Sequence, residues 1–192
     1  MTRHATDRRS RPRQCGHCQY GPFPLIAIWL CVFAGCAGGD QSADRRVAEW
    51  VLENGGQVAV VRANEETRVD QRRGLPRTEF ELFAVAWDIY PGDRNPRVTD
   101  AELERFAELQ HLKELDLWAS DVSDQGLTHL KKLISLERLQ LSQTRVTDAG
   151  LKELEQLSNL RQLALLDCPV TAQGVRRLQR ALPSCRISFK GK

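Results

Sequence analysis

Six cysteines, four histidines and a scatter of carboxylates are the groups with which this 192-residue chain could do chemistry. Cys15-Gly16-His17-Cys18 has the spacing of half a metal site or of a redox pair. A tetrahedral zinc takes about four ligands, however, and no second pair lies nearby. His111 and His129 have no Cys or His partner at ligand spacing and read as surface histidines. Asp121 and Asp124 fall at a loop and a helix start, where a carboxylate favours the helix dipole. No nucleophile elbow, phosphate loop, zincin helix or dinucleotide fingerprint occurs. The residues give no catalytic, cofactor-binding or metal site, and the chain is read as a non-enzyme.

Cys15 and Cys18 also sit in a segment that reads as removable. Arg3, Arg8, Arg9, Arg11 and Arg13 precede an apolar run from Leu25 to Ala34, and Gly35-Cys36 follows. A basic start, a short apolar stretch and a small residue before the break are the parts of a secretory signal. From Leu25 to Ala37 the run has thirteen residues, whereas a membrane span takes ~20. Residues 1–35 are therefore expected to be a cleaved signal and residues 36–41 a tether. Cleavage takes five of the 28 basic residues and one of the 25 acidic ones, leaving 23 against 24, a net charge of −1. That removes the support for a nucleic-acid partner. Of the cysteines, Cys36, Cys168 and Cys185 remain. Cys168 lies past the end of one strand and Cys185 before the start of the next, too far apart for the ~5.5 Å Cα spacing of a disulfide, so no bridge is expected.

The elements that would position any site come from a 24-residue unit written three times, from Leu112, Leu136 and Leu160. Its first, fourth and sixth residues are Leu112, Leu115, Leu117; Leu136, Leu139, Leu141; and Leu160, Leu163, Leu165. The spacing of two predicts a short strand turning these side chains inward. At the eleventh and twelfth positions stand Val122-Ser123, Val146-Thr147 and Val170-Thr171, followed by apolar residues at helical spacing. A hydroxyl before such a stripe predicts an N-cap and a helix of about ten residues. A partial unit precedes these, with Thr99-Asp100-Ala101-Glu102 as a capping box. A fixed period of this size marks a solenoid whose coils cannot bury their core alone.

Residues 42–97 are expected to form an N-terminal α/β capping module. It holds a helix from Ser42 to Asn54, a strand from Gln57 to Arg62, a charged loop from Ala63 to Thr78 with one more strand near Val69, and a doubly covered strand from Phe80 to Ile89. Ile89 is taken as the sixth position of that strand, with eight residues between it and Val98, so the Tyr90–Pro96 loop enlarges that edge. Residues 98–192 then hold the repeats and a last strand around Ile187 and Phe189.

This pattern resembles the leucine-rich repeat family, whose consensus places leucines in the strand and Asn or Cys at the ninth position, here Ser120, Thr144 and Cys168. The resemblance implies an α/β right-handed solenoid with a short curved parallel sheet and convex helices. It also implies that the ninth side chain bonds backbone groups of adjacent turns. VTDAGLKEL and ALPSCRISF are similar to bacterial, planctomycete-type lipoproteins with 24-residue repeats, and Val32-Phe33-Ala34-Gly35-Cys36 is similar to a lipobox. That likeness implies acylation of Cys36 and export to the cell envelope, and Ala37 inclines the reading toward the outer membrane where a cell has one. The function implied is a membrane-tethered, monomeric module binding a protein partner, with no nucleic acid and no cofactor. Its concave face would be built from third, fifth and seventh positions: Asp116, Trp118, Arg138, Gln140, Gln162 and Leu166. Trp118 is either an exposed anchor or a residue covered by the Tyr90–Pro96 loop or the capping module. The rival readings are a structural envelope lipoprotein without a specific ligand, and a substrate adaptor of the ubiquitin-ligase type.

Overall fold

Ser42 accepts the Arg45 amide at 3.3 Å and starts α1 (Ala43–Glu53), which buries Val47, Ala48, Val51 and Leu52 at three- and four-residue spacing. Two strands follow, β1 (Gly56–Arg62) and β2 (Glu65–Val69). They are joined by Ala63 and Asn64, both at positive φ (50° and 66°), the tight turn whose twist matches that of paired strands. The charged stretch read as a loop with one strand near Val69 is thus half strand. Next come β3 (Glu81–Trp87), β4 (Asn95–Thr99), α2 (Asp100–Leu103), β5 (Glu114–Asp116), β6 (Ser120–Asp121), α3 (Asp124–Leu130), β7 (Arg138–Gln140), β8 (Gln162–Leu165), α4 (Ala172–Ala181) and β9 (Arg186–Phe189). The computed structural model describes residues 42–87 and 95–190. The signal segment 1–35, the tether with Cys36 and most of the Tyr90–Pro96 loop lie outside the described residues.

The main sheet has seven strands in the order β2-β1-β3-β5-β7-β8-β9. From β3 onward it is parallel, and Leu115, Leu139, Leu163 and Ile187 pair in one row, each 24 residues from the last. β1 and β2 extend it antiparallel, so residues 42–87 add a helix and strands to the same sheet. Val85 pairs with Leu115, which puts Trp87 at the sixth position, two residues before the Ile89 expected there. The connection to Val98 therefore has ten residues, not eight. A strand apolar on both faces carries no period of two, so nothing in its sequence pins its register.

One core runs through all coils. The first, fourth and sixth rungs, the valines before each helix and the inward helical leucines are all buried. At the β3 end, α1 closes it: the Trp50 ring meets Trp87 edge-on at 6.3 Å and Phe106 at 6.1 Å. Cys168 and Cys185 lie in this core as free thiols, and burial pushes the Cys185 thiol up. No helix among the described residues is long and apolar enough to cross a membrane.

The coils are locked together at their helix starts. Asp100, Asp124 and Asp148, each directly after the hydroxyl residue of its own coil, hold the hydroxyl residue of the next coil with both oxygens. For Asp124 the partners are the Thr147 amide at 2.7 Å and its hydroxyl at 2.6 Å. Three residues after each hydroxyl residue so held stands a glycine, and a Cβ at Gly126, Gly150 or Gly174 would overlap the carboxylate of the coil before. The first unit reads Thr-Asp-Ala-Glu102, with a capping box and no glycine, because no earlier aspartate needs the space. The last reads Thr-Ala172-Gln-Gly, and there the ladder ends. The helical segment of the middle coil, Gly150–Gln156, is a 3₁₀ helix where an α-helix of about ten residues was expected. Two turns gain too little from α-helical bonding to fix the form, and packing decides it.

Candidate functional site

With fourth and sixth positions turned into the core, the third and fifth face the opposite side of the sheet. The pairing sets them in two rows. The third-position row carries Arg68, Ala59, Ala84, Glu114, Arg138, Gln162 and Arg186 from β2 to β9. The fifth carries Gln57, Ala86, then Asp116, Gln140, Ala164 and Ser188. Together they line a groove of about 430 Å³ across all seven strands. Its floor is low where alanine follows alanine on β1 and β3.

The sequence-predicted face divides here into two parts. Asp116, Arg138, Gln140 and Gln162 line the groove. Trp118 and Leu166, at the seventh position, do not; Trp118 is half-buried and Leu166 is exposed. The reason is strand length. β5 ends at Asp116 and β7 at Gln140, so the alternation does not reach the seventh residue. Ser142, at that position, is buried and accepts the Leu166 amide at 3.0 Å.

Within the groove, Arg138 is ion-paired with Glu114 on the next strand. Asp116 Oδ1 accepts the Trp118 amide at 2.9 Å. Burial pushes the Asp116 carboxyl up from its ordinary value, and that single hydrogen bond opposes the shift only in part. Gln140 Oε1 accepts the Ser142 amide at 3.1 Å and its hydroxyl at 2.7 Å. Asp116 and Gln140 thus also close their strands. Arg68 and Arg186 are exposed, and neither guanidinium has a partner among the described residues. The residues that sequence reasoning missed are the alanines and the β2 charges Glu66 and Arg68. Ala84 and Ala86, two apart in an otherwise bulky strand, were the available signal. Among the described residues no group of three His, Cys, Asp or Glu side chains is placed to hold a metal ion.

One strand, one turn and one helical segment repeat every 24 residues in unbroken register. The fold is a leucine-rich-repeat solenoid. No family model and no curated protein matches the sequence. Among solved structures, the chain is similar over 45% of its length to a leucine-rich-repeat protein of Leptospira interrogans, at 27% identity, 21% of that chain and a TM-score of 0.37. Over 47% of its length it is similar to an internalin of Listeria monocytogenes, at 18% identity, 32% of that chain and a TM-score of 0.35. Over 79% it is similar to the leucine-rich-repeat ectodomain of a receptor kinase of Arabidopsis thaliana, at 16% identity, 93% of that chain and a TM-score of 0.38. The chain spans about a fifth and a third of the length of the first two. At the ninth position the Ser120 and Thr144 hydroxyls donate to the sixth-position carbonyls of their own coils, Leu117 and Leu141, at 2.7 Å. Only the Cys168 thiol reaches the coil before, to the Leu141 carbonyl at 2.9 Å.

Proposed function

We propose that this chain is a membrane-tethered binding module that seats a protein partner in the groove of its sheet. The observation that carries this reading is the uncovered sheet face. Parallel strands are ordinarily packed on both sides, yet among the described residues nothing lies over the third- and fifth-position rows of β5 to β9. The face is polar enough to stay in water and shaped enough to hold an extended chain. The tether rests on sequence: a signal of the lipoprotein type, as in planctomycete-type repeat lipoproteins, would leave Cys36 to be acylated at the membrane. Each buried CH₂ of an acyl chain contributes ~0.8 kcal/mol, so two or more chains hold a domain at the envelope.

A photo-crosslinking residue at Ala164, in the groove, is expected to give one defined protein adduct in native membranes. The same residue at Glu155, on the opposite side, is expected to give none. No adduct from the groove, or the same adducts from both sides, would overturn the reading in favour of a structural envelope lipoprotein. For the tether, label from a fatty-acid analogue should vanish in Cys36→Ser, and retained label would refute it.

A further inference from the structure

The groove's charges sort into those already answered and those left over, and the remainder has a pattern. Glu114 and Arg138 answer each other. On β2, Glu66 and Arg68 stand two residues apart on the same face, so that end presents both signs. Beyond that end two charges stand without an opposite charge beside them: Asp116 on β5, with a single hydrogen bond to one carboxylate oxygen, and Arg186 on β9, without a partner among the described residues. The surroundings of each make it more selective. Beside Asp116 the floor drops to Ala84 and Ala86, leaving room for a long aliphatic stem. Around Arg186 the neighbouring groove residues are Gln162, Ala164 and Ser188, all uncharged, so no carboxylate of the groove already answers it.

Resting on the groove as the binding site, we infer that the partner supplies an extended segment crossing the strands, with a basic residue over Asp116 and an acidic residue four positions away at Arg186. Three strand spacings of ~4.8 Å separate β5 from β9, about 14 Å, and Asp116 lies one row, about 7 Å along the strand, from the row of Arg186, so an extended chain running obliquely covers the ~16 Å in about four to five residues, the long side chains taking up the remainder. An even spacing puts both charged side chains on one face of the segment, so no twist is required. The basic stem packs on Ala84 and Ala86 while its charge meets Asp116, and the residue midway lies above Gln140 and Ala164. Asp116 is half-buried, so a cation there is screened less than at a rim position.

The probes are short fluorescein-labelled peptides of alternating Thr and Val, with one face carrying Lys and Asp four residues apart, in both orders. Comparators carry Lys and Lys, Asp and Asp, or Lys and Asp two residues apart. Anisotropy titration of the full chain in detergent is expected to favour one of the four-apart Lys/Asp peptides over all comparators. Asp116→Asn, which keeps the acceptor for the Trp118 amide, should weaken that peptide by roughly tenfold. Arg186→Glu, on an exposed side chain, should reverse the preference toward the Lys/Lys peptide. If Arg186→Glu leaves the preference unchanged, or if spacing of the charges does not matter, the inference falls. Should all peptides bind alike and all be lost in Ala164→Arg, the groove stands as the site and the charge rule alone is refuted.

Discussion

At the eighth position of each coil a residue with a side chain sits in the left-handed region: Ala119 at φ 54°, Gln143 at 59° and Asp167 at 57°. This turn follows the strand and sends the chain back toward the helix layer, and it costs an L-residue roughly 1–2 kcal/mol. Gln143 is exposed, so Gln143→Gly is expected to stabilise the fold by about 0.5–1 kcal/mol after the greater freedom of glycine in the unfolded chain is subtracted. Urea unfolding of the pair of proteins measures it, and an unchanged or lower midpoint would contradict it. Single carboxylates also set the acid limb. For Asp148, burial raises the pKa, but the hydrogen bonds from Thr171 and the nearby Arg177 outweigh it and the net shift is downward. For Glu102 the Thr99 hydroxyl is the largest cause, again downward. A folded value below the unfolded one means stability that is present above the unfolded pKa, ~3.9 for Asp, and is lost as pH falls through the folded value. Asp116 is shifted the other way by burial, so its contribution grows as pH falls. Urea midpoints of Asp148→Asn should therefore lie below the parent near neutrality and converge with it below about pH 4.

Between elements, the aspartate ladder and its glycines act as one device. Asp124→Ala leaves the Thr147 amide and hydroxyl without their acceptor, at a cost of about 1–3 kcal/mol. Gly150→Ala forces a methyl into the Asp124 carboxylate and should also destabilise. Made together, the two should cost less than their sum, because the new methyl enters the space the carboxylate vacates. A coupling of about 0.5–3 kcal/mol is expected, whereas additivity would show that the two do not share that space. The same logic applies to the closing helix. Trp50→Ala removes the ring that packs on both Trp87 and Phe106 and should cost about 3–5 kcal/mol.

At the scale of the molecule, the core is continuous from Val47 to Cys185, so a rung lost in the middle has no shelter elsewhere. Leu141→Asp is expected to abolish cooperative unfolding altogether, and a folded variant with an unaltered melting profile would refute the shared core. Much of this was legible because a rung has to be apolar: the leucines at first, fourth and sixth positions and the hydroxyls before each helix determine the coil. The register of β3 was not, since Phe80 to Ile89 is apolar on both faces and Trp87 and Ile89 read alike. Nor was the seventh position: counting by twos past Asp116 assumes a strand that has already ended. The groove was half legible. Asp116, Arg138, Gln140 and Gln162 follow from alternation, but a hollow is made by what a residue lacks, and the alanines of β1 and β3 announce themselves only when strands are paired.

The missing glycine at Glu102 and the missing aspartate at Ala172 make the units of this array unequal in what each offers its neighbours. A middle unit such as the one from Leu136 carries both halves of the lock, so duplicating it in the gene would lengthen the protein by a coil that fits at once. A copy of the unit from Leu160 placed inside would offer its successor no carboxylate, because Ala172 stands at the aspartate position. A unit with both halves of the lock can therefore be repeated in the interior without redesign of the units that flank it.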